Sequence, residues 1–130
     1  MGYRILVVDD SVLVRRMLVR MLGFGGFPVD AVYEAENGRQ ALECLEDNWI
    51  DMVFTDINMP GMDGVELIRR MEERGLLKDV PVVVISSEGS ETRIGELRRM
   101  GVRGYLRKPF TPEILVETVE EIMGEGIHAL

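Results

Sequence analysis

Five times along the chain a short apolar run gives way to a stretch whose apolar residues recur every three or four positions, and this alternation constrains the fold more than any other feature. The runs are RILVV (4–8), AVYEA (31–35), MVFT (52–55), PVVVIS (81–86) and RGYLR (103–107). The first, third and fourth are almost unbroken in apolar residues, as strands covered on both faces must be. The second and fifth admit polar residues and suit the edges of a sheet. Strands that alternate with helices predict an α/β fold, a parallel sheet joined by right-handed crossovers.

The helical segments carry their own punctuation. Over 11–22, Leu13, Val14, Met17, Leu18, Met21 and Leu22 form one stripe, with Arg15, Arg16 and Arg20 turned away from it. Residues 39–46 repeat the pattern, with Cys44 among Ala41, Leu42 and Leu45. Asp63 and Glu66 read as a capping box before a helix that ends at Gly75. The segment 90–100 is the weakest: only Ile94, Leu97 and Met100 face inward. Gly95 costs it about 1 kcal/mol relative to alanine. Thr111 caps a last helix with Pro112 at its first position, and Gly124 is expected to stop it. Residues 1–124 then form one domain, and 125–130 a tail with no output domain. No repeat, linker or low-complexity segment interrupts the pattern.

Charge and cysteine content narrow the class. A net charge of −8 over 130 residues disfavours nucleic acid and anionic membranes, both of which call for a basic face. The N-terminal apolar run is too short for a signal peptide or a membrane span and soon meets two acids. One cysteine, Cys44, excludes an internal disulfide and fits a reducing compartment. A cytoplasmic location is expected.

In open α/β sheets ligands sit beyond the carboxyl ends of the strands. There the chain places Asp9 and Asp10 after the first run, Asp56 after the third, Ser86 and Ser87 at the fourth, and Lys108 after the fifth. Each has a plainer reading. Asp10 could cap the first helix, yet Ser11 is also available, so capping does not account for both acids. Asp56 could fold back on its own backbone as an Asx-turn. Ser86 could be an ordinary strand-end serine. Lys108 is more pointed: the chain has thirteen arginines and two lysines, so a lysine here runs against its habit. An ammonium is a compact charge suited to one phosphate oxygen. Three carboxylates against one ammonium leave a net −2 that would force protonation unless a divalent cation balances it. Hard oxygen donors with room for water suit Mg²⁺, with Mn²⁺ as a substitute. A carboxylate nucleophile, a Lewis acid, a lysine and a hydroxyl are the parts needed to move a phosphoryl group onto an aspartate.

VVDDS, TDINMPGMDG and GYLRKPF, in that order and spacing, resemble the receiver domain of two-component response regulators, closest to the stand-alone chemotaxis (CheY-like) type. The resemblance runs from about Arg4 to Met123. It implies a doubly wound, flavodoxin-like (βα)5 fold with strand order 2-1-3-4-5. It makes Asp56 the phosphoacceptor, forming an aspartyl phosphate. Asp10 and Asp56 would hold Mg²⁺ directly, with the backbone carbonyl of Asn58, and Asp9 through a water. Lys108 would contact the phosphoryl oxygens. Ser86 would swing its hydroxyl to the phosphoryl group, and Tyr105 would move inward as the aromatic switch. The Lys108–Pro109 bond would be cis, and Asn58 and Glu88 would tune dephosphorylation.

Some residues depart from the pattern or stand outside it. Ser87 replaces the alanine common beside the switch hydroxyl and is small enough to keep phosphoryl access. The glycine-rich segment 23–31, GFGGFPVDA, has no functional reading. Met59 and Met62 read as loop packing ahead of partner contacts. His128 is expected to be solvated in the tail.

The implied function is signal transduction by a response regulator. A sensor histidine kinase or histidine phosphotransfer domain would supply the phosphoryl group. The surface formed by the fourth helical segment, fifth run and last helix would be read by a downstream protein, with the segment 90–100 expected to shift. Arg15, Arg16 and Arg20 either help dock the donor or form a solvated face. The protein would be a monomer and no enzyme beyond its own phosphorylation and dephosphorylation. It could act on a target directly or pass phosphate onward in a phosphorelay. A haloacid-dehalogenase type phosphatase would want a D-x-D motif after the first strand, where this chain has adjacent acids. A flavodoxin-type FMN binder would want a Ser/Thr/Gly-rich phosphate loop there. An unphosphorylated scaffold would have no use for the intact set Asp9, Asp10, Asp56, Ser86 and Lys108.

Overall fold

The structure is a computed structural model that describes residues 2–59, 61–87 and 90–128, without the side chains of 125–128. Its five strands are β1 (Tyr3–Val8), β2 (Val29–Ala35), β3 (Met52–Thr55), β4 (Val82–Ser86) and β5 (Gly104–Arg107). They pair in parallel in the order β2-β1-β3-β4-β5, so the two runs that mixed in polar residues are the sheet edges. The helices are α1 (Val12–Phe24), α2 (Gly38–Asp47), α3 (Gly64–Glu73), α4 (Glu91–Met100) and α5 (Pro112–His128), with a 3-10 turn at Leu76–Lys78. None of the described helices is long and apolar enough to cross a membrane.

Two cores flank the sheet. Leu6, Val8, Val53, Val82 and Val84 point to one side and pack with Leu42, Leu67, Ile68, Met71 and Leu97 of α2, α3 and α4. The alternate residues Ile5, Val7, Phe54, Val83 and Ile85 point to the other and pack with Leu18, Leu22, Leu115, Val119 and Ile122 of α1 and α5. A period of two in the strands thus becomes two layers.

Each helix starts on a side-chain cap: Ser11 for α1, Asn37 for α2, Asp63 for α3, Ser90 for α4 and Thr111 for α5. Such caps contribute about 1 kcal/mol each. The capping box on α3 is only half formed. Asp63 Oδ1 accepts from the Glu66 N–H at 2.9 Å, but the Glu66 carboxylate turns to Arg69 and Arg70, at 2.6 and 2.9 Å.

Three expectations are corrected. In α1, Leu13 and Met17 are 78% and 53% exposed while Arg15 is buried, because β2 offers Arg15 a partner in Glu34. α5 does not stop at Gly124 but runs to His128. Gly124 is not among the glycines with positive φ, and a glycine ends a helix by entering that left-handed region. β2 starts at Val29, two residues before the apolar run.

The glycine-rich segment has a packing role. A Cβ on Gly25 would lie 2.1 Å from Val116 Cγ2, so the end of α1 meets α5 at a distance only glycine permits. Gly26 takes φ +75, and the turn delivers Phe27 to stack on Tyr3 with ring centroids 5.0 Å apart. Met59 is buried and Met62 packs on the same core. The Glu88 position and the His128 side chain lie outside the described residues.

Candidate functional site

Because all five strands run in parallel, their carboxyl ends share one rim. Asp9 follows β1, Asp56 follows β3, Ser86 closes β4 and Lys108 follows β5.

Asp9 is the buried acid of the set, 5% exposed. Its N–H donates to Ala35 O at 3.0 Å, continuing the β1–β2 ladder, and its Oδ1 accepts from the Ser11 N–H at 2.9 Å. Asp10 is exposed, and Ser11, not Asp10, caps α1. The Asp10 carboxyl adds a small upward push to the pKa of Asp9.

Asp56 does fold back on its own backbone, but with one oxygen. Its Oδ1 accepts from the N–H groups of Ile57 and Asn58 at 2.7 and 3.4 Å, while Oδ2 faces Lys108 Nζ at 3.4 Å. The Asx-turn and the functional reading therefore hold together: the turn aims the second oxygen. Lys108 Nζ also lies 3.9 Å from Asp9 Oδ2. The Lys108 N–H donates to Ser86 O at 2.9 Å, extending the β4–β5 ladder by one rung, and the Lys108–Pro109 bond is cis. Ser86 is fully buried, Ser87 and Asn58 are exposed, and Tyr105 is half-buried against the α2–α3–α4 core.

The charges at this rim are unbalanced. Burial, above all, raises the Asp9 carboxyl above the ordinary aspartate pKa; the Ser11 N–H opposes it, the charge on Asp56 adds to it, and Lys108 opposes it again. An apolar cavity of about 250 Å³, walled by Val7, Val14, Met17, Phe54 and Phe110, adjoins Asp56 and Lys108 and weakens solvent screening there.

Among the described residues no three Asp, Glu, His or Cys side chains form a ready-made metal cage. Mg²⁺ does not need one, since it is held through one or two carboxylates and keeps its waters. Asp10 and Asp56, with the Asn58 carbonyl and with Asp9 behind them, fit that demand, and a divalent cation would balance the excess acid.

Two features escaped the sequence reading. Gly64 lies so close under the strand end that a Cβ there would sit 2.1 Å from Asp56 O. Its only signal was the DG pair closing the loop after Asp56. Arg15 donates from Nη1 to Asp9 O at 2.6 Å and from Nε to Glu34 Oε1 at 2.8 Å. A charged residue at both ends of one strand-to-helix turn was the available hint.

Residues 5–120 match the sequence pattern of the response regulator receiver domain. The chain is 40% identical over 119 residues to the chemotaxis protein CheY of Pseudomonas aeruginosa, covering 92% of this chain and 94% of that one. Its fold resembles that of the Vibrio cholerae chemotaxis protein CheY4, with a TM-score of 0.82 and 31% identity over 94% of this chain and 99% of that one. A similar likeness, TM-score 0.82 and 27% identity over 93% and 89%, holds to the structure of a CheX–CheY–BeF3–Mg complex from Borrelia burgdorferi. A pattern that spans most of the chain, a CheY relative matched over nearly its whole length and the parallel sheet with its acidic rim lead to one assignment: the chain belongs to the response regulator receiver domain family.

Proposed function

We propose that this protein is a single-domain response regulator that takes a phosphoryl group from a phosphohistidine, on a sensor histidine kinase or a phosphotransfer domain, onto Asp56. The observation that carries this reading is the Lys108 ammonium set 3.4 Å from Asp56 and 3.9 Å from Asp9 at the rim of the parallel sheet. Asp56 is the better nucleophile of the two, because its side chain is 15% exposed against 7% for Asp9, and Asp9 is disfavoured as an anion by its burial.

Asp10, Asp56 and the Asn58 carbonyl would hold Mg²⁺, with Asp9 acting through a water. When bound, the ion supplies Lewis-acid charge at the oxygens of the transferred group. The Asp56 carboxylate attacks phosphorus, an O–P bond forms, and the N–P bond of the donor imidazole breaks with its electron pair returning to nitrogen. Lys108 leaves its pairing with Asp56 to meet a phosphoryl oxygen, keeping an ion pair throughout. Ser86 donates its hydroxyl to another oxygen, and Tyr105 follows. Asn58 and Glu88 would set how readily water attacks the acyl phosphate. The response is read by a downstream protein on the α4–β5–α5 face. The protein is a cytoplasmic monomer that catalyses only its own phosphorylation and dephosphorylation. The BeF3 and Mg named in the Borrelia burgdorferi complex are consistent with this chemistry for a relative.

Incubation with acetyl phosphate and Mg²⁺, followed by intact-mass spectrometry, tests the reading. The wild type should gain one phosphoryl unit, and Asp56→Asn or EDTA should abolish the gain. A gain that persists in Asp56→Asn would overturn it.

A further inference from the structure

We propose that Arg15 is a positioning residue for the metal-binding acids, holding the peptide that joins Asp9 to Asp10 and so setting the direction of the Asp10 carboxylate. The inference rests on the receiver reading above and adds to it a residue outside the acid, hydroxyl and lysine set.

A guanidinium is rarely buried, because leaving water costs it far more than a hydrophobic side chain gains unless every donor direction is used well. Arg15 is nonetheless 7% exposed, on a helix whose Leu13 is 78% exposed. What it reaches accounts for this. Nη1 donates to the Asp9 carbonyl oxygen at 2.6 Å, and Nε donates to Glu34 Oε1 at 2.8 Å. Glu34 sits on β2 beside Val7 of β1, so the fork ties the β1–α1 turn to the neighbouring strand. Asp9 is then fixed at three places: its N–H on Ala35 O at 3.0 Å, its carboxylate on the Ser11 N–H at 2.9 Å, and its carbonyl on Arg15. Only the last of these orients the Asp9–Asp10 peptide. That peptide is planar, so holding its oxygen fixes the plane from which Asp10 leaves. Adjacent carboxylates repel, and the clamp keeps Asp10 from relieving that repulsion by turning away from the site.

A positioning role and a simple charge role differ in sign. A cation near the site repels Mg²⁺, so if Arg15 acted by charge its removal would tighten metal binding. If it acts by position, removal weakens binding, and lysine does not rescue, because one ammonium keeps the charge but lacks the fork that spans Asp9 O and Glu34.

The test is Mn²⁺ binding to the full chain, read as the free-ion electron paramagnetic resonance signal and by competition with Mg²⁺. Arg15→Lys and Arg15→Met should both bind on the order of tenfold more weakly, as is typical when the support of a metal ligand is lost. Glu34→Gln should fall between them and the wild type. Val119→Ala, which thins the α1–α5 core, should lower stability and leave affinity unchanged, separating position from general loosening. Wild-type or tighter affinity in Arg15→Lys overturns the inference. If the Arg15 variants fail to fold, Glu34→Gln decides alone, and unchanged affinity there overturns it equally. A wild type that shows no saturable Mn²⁺ uptake sensitive to Asp56→Asn would instead sink the receiver reading, and this inference with it.

Discussion

Asp9 shows how a buried acid at the rim of the sheet weakens the fold that carries it. Burial, chiefly, raises its carboxyl pKa above the ordinary aspartate value, and the charge on Asp56 adds to this. A carboxyl raised in the folded state contributes its full stability below the unfolded pKa and loses it as pH rises through the folded one. Near neutral pH and without metal, ionised Asp9 is therefore a net cost. In EDTA at pH 7, Asp9→Asn should raise the melting temperature by about 3 °C, the shift expected for roughly 1 kcal/mol in a domain of this size. The gain should shrink as pH falls toward the ordinary aspartate range, because the raised native carboxyl takes up its proton before an unfolded one does. Melting curves for both proteins across that range check it; a gain that grows on acidification would reverse the sign. Cys44 offers a second test at this scale. Burial raises its thiol pKa while Asn48 opposes the rise, so thiolate is scarce at pH 8. Alkylation by iodoacetamide should run several-fold slower than in the urea-unfolded chain, followed by mass.

The elements meet closely where glycine allows it. A methyl on Gly25 would overlap Val116, whose Cγ2 would be 2.1 Å away and whose Cβ 3.0 Å away. Gly25→Ala should cost about 2 kcal/mol in urea unfolding, the usual size of an overpacking penalty. Val116→Ala removes the colliding methyl, so the double variant should recover part of that loss, a coupling that two independent defects would not show. Neither contact was legible in the sequence. Glycines 25 and 26 announced a turn, but only the packing of α5 over it tells which one cannot bear a side chain. The same limit applies to Arg15. Helical periodicity placed it off the apolar stripe, whereas the structure buries it on the same face as Leu18 and Leu22, because a long guanidinium can lie down beside a strand that offers a carboxylate nineteen residues later. The reading of Gly124 as a stop failed because glycine permits a left-handed exit without imposing one. What was legible was the apolar alternation and the residues at the strand ends, since both follow from local pattern. The strand order came from the family resemblance, because pairing between distant runs leaves no local trace.

The molecule as a whole is anchored unevenly, and the uneven part lies on the side where a response would be read. α3 buries Gly64, Leu67, Ile68 and Met71, whereas α4 buries Leu97 alone, with Ile94 and Met100 only half covered. Burying one such side chain contributes about 2 kcal/mol, so α4 has the smallest apolar hold on the sheet and shifts at the least cost. Charge is distributed unevenly over the same region. Arg98, Arg99, Arg103 and Arg107 are exposed from α4 to β5, beside Glu91 and Glu96 of α4, while the exposed charges Glu113, Glu117, Glu120 and Glu121 of α5 are all acidic. A small displacement of α4 would therefore change both the shape and the field of the surface proposed to meet a partner. Tyr105 is half-buried between these faces, on the strand that pairs with the one ending in Ser86. If phosphorylation draws the Ser86 hydroxyl toward the rim, the ring gains room and α4 can follow. Beryllofluoride with Mg²⁺ should change amide hydrogen exchange across 90–101 and shift the Tyr105 ring resonances. Exchange in α2, on the far side of the same core, should stay as it is in the free protein. Asp56→Asn should remove both responses. If Tyr105 and 90–101 keep their free-state signals while the beryllofluoride adduct forms on Asp56, the coupling from the acidic rim to α4 does not exist in this protein, and any partner must read the phosphoryl group at the rim itself.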